Sequence, residues 1–547
     1  MKLNCLRITL PIIRAALFAL LVPAIAAAAT RFDEFTAKNA SPQEPVKVLH
    51  AGLLGGAGTE WLAGGGIQPD GTVVLAGTSL GPVLALGLKE TVLGVDAAIS
   101  APEREPKLDG KGKPESNKDG TPKLRPFSWN HPHATAFIVR LAPDLKTVKS
   151  VTRFGWKTAG LTSAVIAPDG TIYIAGPATE AIAGVAPRHE ELPLPAKEMT
   201  QGGCVHTYVA RLSSDGAKVE WLREVRGNSS APRLSFDAGG RLIFQGPDFR
   251  VLDTAGRQIT AVPRPGDSGF FDMNPQNGTV ARGGEHHWPT GREPWRCPTL
   301  DIFKADGSHL YQFYDWGGPL VGLDSFRLVS DTAIRGIAYD AAGDLVFHAW
   351  SDGGNSVALR EPTDLRADAN MGGLGFSAWG AGVLSLAYVV RLDSKSWKVI
   401  GGTPWMAYMK DKNKPSSARI HSLAAANDAI LFAGGSSLGL IQTGDAIGGG
   451  EPGGEFVAVL NRDASALRFS SAMPACAQAV VNDSSADGAR WGIVTGRLHG
   501  KPVALFLGSA AEKSDGSDPR SSPAVNARQT AFGGGLDGYF VLIDLSK

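Results

Sequence analysis

Cysteine is scarce. Of four in 547 residues, Cys5 falls in the N-terminal apolar segment, which leaves Cys204, Cys297 and Cys476. No C-x-x-C spacing occurs, so neither a zinc nor a redox motif is suggested. An odd count in an exported chain allows one disulfide, and Cys204 with Cys297 is the candidate pair. Each stands just before a strand at the end of an insert. A charge excess of either sign is also missing, with 54 Lys and Arg against 53 Asp and Glu. That removes the general electrostatic case for nucleic acid or an anionic membrane. After residue 29 no apolar run is long enough to cross a bilayer. There is no G-x-G-x-x-G after a strand, no P-loop, no H-E-x-x-H and no G-x-S-x-G elbow. Asp515–Asp518 (DGSD) lacks the spacing and terminal Glu of a calcium loop. No cofactor and no metal site is expected, and no catalytic residue is assigned.

The first residues read as a targeting segment. Lys2, Arg7 and Arg14 supply a positive region, Ala15–Ala26 is apolar, and Ala26–Ala29 offers small-residue cleavage sites before Thr30. Residues 1–29 are therefore expected to be a signal peptide, 30–45 a loose lead-in, and the mature chain exported to the periplasm, the cell surface or the medium.

What is abundant is glycine, 68 residues, which favours many turns over long helices. In Leu161–Thr179 (LTSAVIAPDGTIYIAGPAT) two short β-type runs flank Pro168-Asp169-Gly170, a hairpin turn. After an insert, Thr207–Leu222 (TYVARLSSDGAKVEWL) turns again at Asp215-Gly216. Two successive hairpins make one four-stranded antiparallel sheet, with strands A to D. The unit recurs about seven times, most tidily at Pro232–Val262, close to the ~40–50 residues of a propeller blade. Strand B is apolar at consecutive positions (Ile172, Tyr173, Ile174; Leu345, Val346, Phe347), as a strand covered on both faces would be. The sequence predicts an all-β fold: a single β-propeller over 46–547, favoured over paired sandwiches or a β-helix. Its last copy lacks strand D, and Val46–Leu53 lacks a preceding strand C, so the N-terminal strand is expected to close the ring beside Tyr539–Leu545. Long inserts fall between strands B and C, at 79–135, 178–206, 285–298, 351–386, 436–454 and 509–537, on one face.

The hairpin closing on P-D-G and ending A-G, followed by an F/Y-V-A/V-R-L strand, resembles the bacterial exported β-propeller repeats of the SBBP type. The matching residues are Ala164–Gly176 with Tyr208–Gly216, Ile67–Gly77 with Phe137–Asp144, and Ala387–Asp393; blades three, four and seven depart from the pattern. The resemblance implies a fold, no common activity and no site residues.

Candidate ligand contacts come from the inserts. Glu285–Cys297 gathers His286, Trp288, Trp295 and Arg296, and His131, His133 and His206 stand at the ends of other inserts. Imidazoles can bind metals or move protons, and the Trp rings can stack on sugars or aromatic ligands. Together these residues are expected around the central mouth. The function expected is a monomeric, non-catalytic scaffold binding a protein or glycan ligand through a crown of loops, with no nucleic-acid partner. The alternative is a propeller enzyme, a glycan-active hydrolase or lyase or a metal-dependent oxidoreductase, with a His-lined site on the same face.

Overall fold

The computed structural model describes residues 45–546 apart from 57, 82–89, 94–108, 110, 117–134, 157–158, 179–180, 183–188, 194–205, 228–231, 267–268, 288–295, 315–330, 353–356, 364–384, 410–413, 449–453, 475–490, 512–522 and 534–535. Seven antiparallel sheets follow one another around a ring. The blades begin at Glu60–Ile67, Ser163–Ile166, Arg233–Phe236, Phe270–Met273, Thr332–Tyr339, Ala418–Ala425 and Gly492–Leu498, their A strands. These seven strands pack side by side about the axis, and strands B, C and D step outward.

The turns obey the local chemistry. Asp70, Asp169 and Asp340 each accept a backbone N–H two residues on, and a glycine in the left-handed region completes each turn (Gly71 φ 81, Gly170 φ 85, Gly343 φ 91). Strand B is sandwiched between neighbouring blades, which is why Ile172–Ala178 and Val73–Ser79 are buried at every position.

The arginine of the Y-V-A/V-R-L strand rivets one blade to the next. Arg140 donates to Gln68 and to the Asp215 carbonyl of the second blade. Arg211 reaches the Thr254 carbonyl of the third. Arg391, fully buried, joins Asp340 beneath it and the Ala426 carbonyl of the sixth blade.

The seventh blade closes the ring as expected. Its degenerate copy forms Gly492–Leu498, Lys501–Ala511 and Leu536–Asp544, with the A–B turn at His499-Gly500, and Lys47–Leu54 adds the outer strand. Leu53 pairs with Tyr539 and Lys47 with Asp544. The N-terminal side chains Ala51 and Leu53 pack with Phe506, Tyr539 and Val541. No helix among the described residues is long and apolar enough to cross a membrane.

Candidate functional site

Every strand A runs from the face that carries the inserts toward the A–B turns. Between the seven strands lies an axial cavity of about 380 Å³, lined by Leu62, Val165, Leu234, Ile337, Leu423 and Ile493 with interspersed polar groups. Asp272 lies in its wall. The carboxylate accepts Gln245 Nε2 at 2.5 Å from the third blade and Tyr339 N at 2.7 Å from the fifth, so one side chain ties three blades. Burial raises its pKa, against these donors and the nearby charge of Arg233.

At the insert-face mouth, three A strands carry a bulge at one level. Ala63, Arg335 and His421 are the extra residues in blades 1, 5 and 6, each between two paired neighbours. A bulge re-aims the side chain it inserts. Gly336, beside one bulge, pairs with His348. A Cβ there would lie 2.5 Å from the His348 ring carbon, so the glycine makes room for the imidazole. Burial, then the charges of His421, Arg335 and Arg233, pushes His348 down to about 3, so it is neutral at physiological pH.

The fourth blade supplies the other half of this mouth. Strand B continues through His287 and strand C begins at Arg296, so both ends of the stretch read as insert belong to the paired strands of a hairpin. Gly283 lets it approach blade 5, since a Cβ would meet Ile337 Cδ1 at 2.8 Å. Two residues further on, Glu285 Oε2 accepts Arg335 Nη2 at 3.0 Å, and Glu285 Oε1 lies 3.8 Å from Arg296 Nη1. The Arg296 backbone N–H donates to Asp331 at 2.7 Å. Arg335, Glu285 and Arg296 are 27%, 28% and 39% exposed in their side chains. The network therefore lies open to a ligand rather than inside the core. Burial and the neighbouring Asp331 raise the pKa of Asp352, at the end of strand B in blade 5.

The inserts do not crowd over the channel in their described parts. Outside blade 4 they turn outward, onto the outer strand of their own blade. Thr91–Leu93 pairs with Val148–Phe154 and His189–Glu191 with Val219–Arg226, both in parallel. In blade 5, Glu361 accepts Val399 N–H. In blade 6, Thr443 N donates to the Ser470 carbonyl, and in blade 7 Val525 and Ala51 exchange backbone hydrogen bonds. These segments cover strand edges that would otherwise present unpaired backbone.

Of the residues expected from sequence, Arg296 belongs to the mouth network. His286 pairs with Cys297 on the same hairpin. His206 is buried at the start of strand C in blade 2, between Ala178 and Arg226, so it occupies the equivalent place two blades away from Arg296 rather than beside it. His131, His133, Trp288, Trp295, Cys204 and Asp515–Asp518 lie outside the described residues, as do the signal segment and lead-in up to 44. Cys297 is buried; its expected pairing with Cys204 lies outside them too. Sequence reasoning missed Arg335, Arg233 and His421. No local signal marks Arg335 and His421, because a bulge is visible only once register is known, and Arg233 acts on Asp272 and His348 only across blades.

No family model and no curated protein matches the chain. Among solved structures, a protein of unknown function from Dyadobacter fermentans is 11% identical, covering 92% of this chain and 99% of its own, with a TM-score of 0.35. An ulvan lyase, a polysaccharide lyase bound to -[GlcA(1-4)Rha3S]-, is 10% identical over 90% and 96%, with a TM-score of 0.36. The Dos1 propeller is 9% identical over 92% and 95%, at 0.26. The class is thus the seven-bladed β-propeller, on the evidence of its own sheets; likenesses this distant carry no functional argument.

Proposed function

We propose that the protein is a non-catalytic propeller scaffold that captures a glycan at the insert-face mouth, where the blade-4 hairpin meets strand A of blade 5. The observation that carries this reading is the half-exposed Arg335–Glu285–Arg296 network. Guanidinium groups hold five N–H donors and a carboxylate about four lone-pair sites, so pairing with one another uses only part of each. Adjacent donors and acceptors of that kind match vicinal sugar hydroxyls. The sequence between the two strands carries Trp288 and Trp295, indole rings of the kind that can stack on a pyranose. A recessed mouth over a cavity of about 380 Å³ suits one or two sugar units better than a flat protein surface. Export and kinship with the SBBP-type repeats belong to the same proposal, resting on residues 2–29 and on the repeated hairpin motifs. Protein from its native host should begin near Thr30; a mature chain still carrying Met1 would overturn export.

The binding test is a glycan array followed by calorimetry. Arg335→Ala should weaken capture about 10- to 100-fold, the worth of one or two hydrogen bonds to a charged group. The bound glycan should be recovered intact by mass spectrometry. Unchanged affinity in Arg335→Ala and Glu285→Gln would place the site elsewhere, and a cleaved glycan would favour the enzyme reading.

A further inference from the structure

A second feature lies across the ring, at the seam where the chain's two ends meet. Glu60 opens strand A of blade 1, just after the link from the N-terminal strand, and Asp537 stands near the start of strand C in blade 7. Both are fully buried, at 0% exposure. They close on one glycine from two sides: a Cβ at Gly55 would lie 2.5 Å from Asp537 Oδ1 and 2.8 Å from Glu60 Oε2. Asp537 Oδ2 accepts Gln529 Nε2 at 2.6 Å and Gly533 N–H at 2.8 Å, from the blade-7 insert. Glu60 Oε2 accepts Gly56 N–H at 3.1 Å, and Gly55 N–H donates to Gln529 Oε1 at 3.0 Å.

The Ser79 hydroxyl divides its one proton between Glu60 and a carbonyl. The Ser79 hydroxyl lies 2.8 Å from the Gly81 carbonyl and 3.1 Å from Glu60 Oε1. It has one proton, and a carbonyl has none to offer. The shorter contact is to Gly81, so Glu60 Oε1 receives only a divided share of that proton, weak support for a carboxylate anion. Asp537 takes two N–H donors on one oxygen, hydrogen bonds that favour the carboxylate form. Among the described residues the other charge acting on Glu60 is Glu90, on the blade-1 insert, itself paired with Arg153 of strand D at 3.2 Å. His50, on the N-terminal strand, is held down to about 4 by burial and is neutral above that pH.

We propose that the ring closure is a proton-dependent latch: the N-terminal strand stays docked while Glu60 and Asp537 share one negative charge, and loosens when each carries one. Ionising Glu60 would put a second charge in a buried site beside the first, with no cation to pair it among the described residues that act on it. The direction agrees with the shift of Glu60, raised from 4.5 to about 8 chiefly by burial. A carboxyl raised in the folded state contributes stability that is complete below 4.5 and is lost as pH rises toward 8. The window is therefore alkaline, opposite to that of an ordinary paired carboxylate.

Hydrogen exchange by mass spectrometry on the full chain tests this. After correction for intrinsic rates, protection of Lys47–Leu54 relative to Leu345–Ser351 of blade 5 should fall about 100-fold between about pH 6 and about pH 9. In Glu60→Gln, whose amide reproduces the neutral acid, that fall should vanish. Asp537→Asn should move its midpoint toward acid pH, which keeps the test alive if the first variant fails to fold. A pH-independent seam in the wild type overturns the latch. So does a fall that persists in Glu60→Gln, or an unmoved midpoint in Asp537→Asn. None of these outcomes bears on glycan capture, which involves other blades.

Discussion

A chain lacking Val46–Leu53 is expected to lose the cooperative unfolding transition of the whole ring. The deletion removes the outer strand of blade 7, with its ladder to Leu536–Asp544. It also strips buried Ala51 and Leu53 from a core shared with Phe506, Tyr539 and Val541. The open edge left behind would carry Tyr539, Val541 and Ile543, a template for association with another chain. Blades 1 and 7 would be joined only by packing, with no strand tying the two ends. Differential scanning calorimetry and size-exclusion chromatography check this, with a chain beginning at Pro45 as the control. A synthetic peptide spanning 45–56 should restore the transition when added during refolding. A single sharp unfolding peak at the control's temperature in the shortened chain would refute the role given to this strand.

The second large effect is expected at Arg391. Its guanidinium is fully buried between Asp340, Asp344 at 3.5 Å and the Ala426 carbonyl at 3.1 Å. Arg391→Ala would leave Asp340 ionised and buried without its partner, at a cost of about 3–5 kcal/mol. Replacing both members, Arg391→Met with Asp340→Asn, should recover most of that loss, because the desolvation cost disappears with the charges. Urea midpoints of the two variants decide the matter. A single substitution costing under about 1 kcal/mol would show that Arg462, which reaches Asp344 at 2.8 Å, can hold the corner alone.

Much of the scaffold was legible in the sequence because its signals are local. Asp169-Gly170 and Asp215-Gly216 mark turns through backbone chemistry that acts within four residues, and an unbroken apolar run such as Leu345-Val346-Phe347 needs cover on both faces. Ring closure was legible by counting strands: a strand C without a D at one end, a D without a C at the other. The mouth was not. Glu285 stands in a conspicuous polar stretch, but its partner Arg335 is 50 residues away and faces it only because a bulge shifts the register of strand A. The direction of the inserts was equally hidden. Thr91–Leu93 and His189–Glu191 fold outward because strand D offers unpaired backbone, a tertiary opportunity that leaves no periodicity in the insert itself.

The pairing of Lys47 with Asp544 also sets when the ring can close. The strand Lys47–Leu54 waits, unmatched, until Leu536–Asp544 at the far end of the ring has appeared. Bringing such distant segments together costs about 5–6 kcal/mol of chain entropy, which only the finished blade can offset. A product that stops short by one strand cannot mask that loss: it keeps a frayed terminus and an open sheet, the features proteases attack. The architecture thus acts as its own proofreading step, in which a closed ring is the condition for persistence.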